Sequence, residues 1–122
     1  MHKYKDLRIW QLSMVLAEDV YRLTENFPRT EMYGLQSQLR RSAVSVASNI
    51  AEGAGRNGPR EFNQFVGIAS GSLAELDTQL QLATRFGFLD NEDIEDVEMN
   101  IDVLQKMMYN FQQQLRQKIN YK

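Results

Sequence analysis

The chain predicts an all-α fold: a single-domain, antiparallel up-down-up-down bundle of four helices. Three observations carry that prediction. Apolar residues recur at steps of three and four in four separate segments. No segment alternates apolar and polar residues as a half-buried strand would. Short connections at Pro28, Gly55 and Gly87 separate the segments, which makes sequential helices antiparallel neighbours.

The first helix is predicted from about Asp6 to Asn26. Ile9, Ser13, Leu16, Val20, Leu23 and Phe27 form its stripe, broadened by Trp10, Ala17, Tyr21 and Thr24. Pro28 ends it, because the residue before a proline is pushed out of the α region. The second helix begins near Thr30 or Glu31 and runs through Leu35, Leu39, Ser42, Val46 and Asn49 to Gly53. Gly53, Gly55 and Gly58 are expected to supply its cap and the following loop. Asn57 suits the N-cap of the third helix, with Pro59 in the first turn. Its face is Phe62, Val66, Ala69, Leu73, Leu76, Leu80 and Ala83, and Gly87 permits the turn beyond it. The fourth helix opens at Asp90 or Asn91. Ile94, Val97, Ile101, Leu104, Met108, Phe111 and Leu115 alternate strictly by three and four, the heptad spacing of left-handed bundle packing. Helices one, three and four are each expected to exceed about 20 residues, or roughly 30 Å.

Composition narrows the function classes. The 122 residues, 43% hydrophobic and 25% charged, are ordinary for one globular domain. No run reaches the roughly 20 apolar residues of a membrane span, and the N-terminus lacks the apolar region of a secretion signal. The expectation is a cytoplasmic protein. Cysteine is absent and His2 is the sole histidine, so neither the common zinc sets nor a di-iron bundle centre can be assembled. No lysine lies between Lys5 and Lys106 to act as a base for a serine. Gly53-x-Gly55-x-x-Gly58 spells GxGxxG but follows a helix rather than a strand, so it is no dinucleotide fingerprint. No enzyme, cofactor, metal or small-molecule substrate is expected.

Two clusters remain as candidates. Between Arg40 and Arg56, and again from Ala69 to Leu76, the helical pattern is built from Ala, Ser and Gly with polar residues set among them. Asn49, Glu52, Ser72 and Glu75 are read as a structural polar network joining helices two and three, with Arg41 or Gln38 as partners. Acid–base work or cation binding by Glu52 and Glu75 is the rival reading, and an exposed Glu52 could instead pair with a neighbouring subunit. Charge supplies the second cluster. Residues 1–60 hold nine Lys/Arg against six Asp/Glu, while residues 61–122 hold five against ten. The acidic excess gathers at the start of helix four, where carboxylates suit the helix dipole. Lys3, Lys5 and Arg8 begin helix one, and Arg56 and Arg60 flank the loop after helix two. An up-down bundle brings these to one pole, a candidate contact for nucleic-acid phosphates. A solvated pole with scattered ion pairs is the plainer alternative, favoured by a pI near 5.4.

Five pieces fall in order along nearly the whole chain: DLxxWQ (Asp6–Gln11), FP (Phe27–Pro28), YGLxxQxRR (Tyr33–Arg41), SNIAEG (Ser48–Gly53) and GSLxEL (Gly71–Leu76). In these the chain resembles the bacterial 23S rRNA intervening-sequence proteins, named for reading frames within insertions in ribosomal RNA genes. The resemblance implies a long four-helix bundle, a homopentamer, and a molecular function that is largely undefined. It also implies kinship in fold with the accessory protein of diversity-generating retroelements, which works with a reverse transcriptase and nucleic acid. Self-association therefore heads the expected partners, through extra apolar or small positions at Trp10, Met14, Val15, Val44, Ala47 and Ala51. RNA or a nucleic-acid-processing protein is the alternative partner.

Overall fold

A computed structural model describes residues 3–120; His2 lies outside the described residues. Among the described residues there are four α-helices and no strand. Helix α1 spans Arg8–Thr24, α2 Leu35–Ala54, α3 Pro59–Arg85 and α4 Asn91–Asn120. Short 3-10 turns at Tyr4–Asp6 and Arg29–Glu31 precede α1 and α2. Helices consecutive in sequence pack on one another, and α4 closes the set against α1.

Three helix starts differ from expectation. Helix α1 has 17 residues rather than more than 20: it starts at Arg8 because the turn at Tyr4–Asp6 is followed by an extended Leu7 (φ −78°, ψ 127°) that interrupts the helical backbone, and it ends at Thr24 rather than Asn26. Helix α2 starts at Leu35 rather than near Thr30, since Gly34 departs from helical geometry (φ −109°, ψ −119°). Glu31 still serves that start: its Oε1 accepts the Leu35 backbone N–H at 3.1 Å, satisfying one orphan donor of the first turn. Helix α3 begins with Pro59 at its first position and Gly58, not Asn57, at the N-cap. The end of α3 is a Schellman motif. Gly87 takes φ 82°, the Phe88 N–H reaches the Ala83 carbonyl and the Gly87 N–H reaches that of Thr84. Helix α4 opens with one half of a capping box: Asp93 Oδ2 accepts the Asp90 N–H at 2.8 Å.

The stripes converge on one core. Leu16, Leu39, Ile50, Leu73, Leu76, Leu80, Ile101 and Leu104 are fully buried. Leu23 and Phe111 are half-buried at its margin. Aromatic pairs close the two ends: Phe27 with Phe88 at 5.5 Å between ring centroids, and Phe62 with Phe111 at 5.1 Å. Ser13 and Thr24 are buried on α1 without penalty, because each hydroxyl donates to the carbonyl four residues back, at 2.6 and 2.9 Å.

Gly53 is not a cap. It lies inside α2, buried where α2 meets α3; a Cβ there would sit 2.7 Å from Phe65 Cβ and 2.9 Å from Phe62 Cδ1. Only glycine permits this approach.

Candidate functional site

The small-residue segments face each other along α2 and α3. Ser42 Oγ donates to Gln79 Oε1 at 2.9 Å, and the hydroxyls of Ser45 and Ser72 bond at 2.9 Å. Asn49 Nδ2 donates back to both the carbonyl and the Oγ of Ser45, at 2.8 and 3.0 Å. Ser45 is thus the hub, with Ser42 and Gln79 as a second link. Sequence reasoning did not single out Ser45 or Gln79. The i, i+4 spacing of Ser45 and Asn49 was the available signal.

Of the four residues grouped from sequence, Asn49 and Ser72 meet through Ser45. Glu52 and Glu75 are exposed. Glu52 Oε2 pairs instead with Arg56 at 3.4 Å across a solvated helix turn, a contact worth about 0–1 kcal/mol. Arg41 and Gln38 are also exposed and enter no bond with the serines. Every buried hydroxyl in this seam has a partner, so it reads as packing specificity.

The basic residues are spread along one end. Arg56, in the loop between α2 and α3, stacks 4.9 Å from the Phe65 ring centroid of α3 while bridging Glu52 of α2, which holds its side chain across the corner between the two helices. With Asn57, Phe62, Leu115 and Lys118 it lines a cleft of about 450 Å³. Lys118 escaped the sequence reading because the apolar stripe of helix four stops at Leu115. Arg60 lines an adjoining cleft beside Ile119, and Arg8 a separate groove with Met107, Phe111 and Gln114. Lys3 and Lys5 are exposed, with Lys5 Nζ 6.0 Å from the Tyr4 ring centroid. Both basic clusters therefore border the last third of α4, though by different grooves.

A third feature had no sequence signal. Glu98 of α4 faces α3, where Gln81 Nε2 donates to its Oε1 at 2.7 Å. Burial, and then a hydrogen bond with Asp77, push its carboxyl up to about 7 against the opposing effect of Gln81; Asp102 adds repulsion. Among the described residues no group of three or more His, Cys, Asp or Glu is placed to hold a metal ion, and no helix is long and apolar enough to cross a membrane.

A sequence profile of the 23S rRNA-intervening sequence protein family matches residues 5–110. No curated protein matches the chain. Among solved structures, the crystal structure of a protein with unknown function from the S23 ribosomal protein family, from Bacteroides thetaiotaomicron VPI-5482, superposes with a TM-score of 0.76 at 20% identity, covering 85% of this chain and 97% of the other. That likeness concerns the fold. The chain belongs to the 23S rRNA-intervening sequence protein family.

Proposed function

We propose that this family member is an up-down-up-down bundle acting in the cytoplasm as a non-enzymatic, homo-oligomeric structural or adaptor protein, with a pentameric ring as the expected assembly. Contacts in opposite chain order support the topology: Ser42 meets Gln79 while Ser45 meets Ser72, and Gln81 meets Glu98 while Asn63 meets Gln112. One observation carries the assembly reading. The four stripes already fill a closed core, yet Met14, Val15, Tyr21 and Val44 on α1 and α2, and Ile68, Met99 and Val103 on α3 and α4, remain exposed. Such surplus apolar surface on several faces is what subunit contacts use. Of the positions expected to serve, Ala47 is buried and Trp10 and Ala51 are half-buried, which leaves Met14, Val15 and Val44 on the surface. Sedimentation velocity at micromolar concentration tests the reading. The expected particle is several times 14.2 kDa, and a monomer overturns it.

Nucleic-acid contact at the basic end is a second reading, favoured by the juxtaposition of Arg56 and Lys118 across one cleft. It predicts salt-sensitive retention on structured RNA, weakened when Arg56→Glu and Arg60→Glu are combined. No retention at low salt removes it.

A further inference from the structure

We propose that the groove between α1 and α2 receives the outer acidic face of α4 from a second copy of the chain. The inference rests on the self-association reading above and assigns it two surfaces. The groove, about 440 Å³, is lined by Tyr21, Met32, Arg40, Arg41 and Val44. Its apolar members are well exposed: Tyr21 43%, Met32 47% and Val44 44%. Arg40 is held in place, with its guanidinium 4.4 Å from the Tyr21 ring centroid and its Nε donating to Thr24 Oγ1 at 2.8 Å. Arg41 is exposed and has no hydrogen bond or ion pair among the described residues. The groove thus offers an apolar floor, one preorganised cation and one unengaged cation.

An occupant that answers all three is a helix face carrying apolar side chains between carboxylates. Helix α4 carries one. Met99 (62% exposed) and Val103 (49% exposed) lie on its outer face among the exposed Glu92, Glu95 and Asp102, all at helical spacings of three and four. The chain cannot satisfy the groove with its own α4, because that helix lies beside α1 and α3 and not beside α2, and its outer face points away from the core. The contact is therefore between copies. Since two different surfaces meet, each copy gives one and receives one, a heterologous arrangement that forms a ring where its rotation closes. It also gives a role to the charge division between the basic residues 1–60 and the acidic residues 61–122. Complementary potentials of this kind set orientation and partner choice more than raw affinity. A nucleic acid would answer Arg40 and Arg41 but would leave Met32, Val44, Met99 and Val103 without a partner.

The test uses the full chain in sedimentation velocity, with circular dichroism as the folding control. Arg41→Glu with Val44→Asp on the groove, and separately Glu95→Lys with Asp102→Lys on α4, are each expected to raise the dissociation constant about tenfold or more. Combining Arg41→Glu with Glu95→Lys and Asp102→Lys in one chain is expected to recover association. A wild-type monomer overturns both the assembly reading and this interface. A wild-type assembly that survives the groove variant overturns the interface alone. Loss in the single-face variants without recovery in the combined one overturns α4 as the occupant. So does an unchanged assembly whose groove variant loses only RNA retention.

Discussion

Small residues recur among the buried positions of α2 and α3, at Ala43, Ala47, Gly53 and Ala69, and hydroxyls link the two helices, Ser45 to Ser72 and Ser42 to Gln79. Helix α4 meets the same core with Ile94, Val97, Ile101, Leu104, Met108 and Leu115. The first contact works by exclusion, since two backbones approach closely only where no side chain intervenes. The second works by filling, since large aliphatic groups remove apolar area from water and occupy the space between more distant helices. A seam of the first kind fixes register through its hydroxyls and tolerates no added volume. A stripe of the second kind supplies most of the driving force and tolerates no removed volume. The two regions should therefore fail in opposite directions.

The largest expected effect is on the filling side. Leu104 is fully buried at the middle of α4, so Leu104→Ala should cost about 2–5 kcal/mol in urea unfolding. A smaller cost than that of any single change in the α2–α3 seam would break the comparison. Next comes the seam itself, tested by one substitution made twice. Gly53→Ala places a Cβ against Phe65 Cβ and the Phe62 ring, an overpacking of about 1–3 kcal/mol that outweighs the ~1 kcal/mol gain in helix propensity. At Gly71, on the exposed face of the same contact's partner helix, a Cβ meets nothing within 4 Å, so Gly71→Ala should stabilise by about 1 kcal/mol. Two changes of the same sign would show that close approach at Gly53 is not what the seam depends on.

How much of this could be read from residues alone follows from the same contrast. The α4 stripe was legible but for Phe111, which is only half-buried, because large apolar side chains at strict heptad spacing leave one face to bury. The α2–α3 seam was legible as a close contact but not in its bonding. Asn49 and Ser72 joined through Ser45, while Glu52 and Glu75, one helical step round from buried positions, turned to solvent. Apolar spacing locates the centre of a stripe well and its edges poorly, and carboxylates sit at those edges. The helix starts at Arg8 and Leu35 depend on backbone angles at Leu7 and Gly34, which spacing does not encode. Lys118 lay beyond the last periodic residue, so nothing in the stripe placed it beside Arg56.

The smallest effect separates the two regions by pH. The serine seam holds no titratable group, whereas the α3–α4 contact holds Glu98, whose carboxyl is pushed up to about 7 by burial and by Asp77. The folded protein therefore keeps a proton that the unfolded chain, with a glutamate near its usual ~4.3, releases. Stability should fall as pH rises through that window, with the loss complete above about 7 and absent below the ordinary glutamate range. Glu98→Gln preserves an acceptor for Gln81 and offers a donor to Asp77 while removing the charge. Its melting temperature should exceed the wild-type value at pH 8 and match it at pH 4, while Ser45→Ala should shift the melting temperature by the same amount at both. An equal shift for Glu98→Gln at the two pH values would place the cost in shape rather than charge, and the α3–α4 contact would then join the seam as a purely steric one.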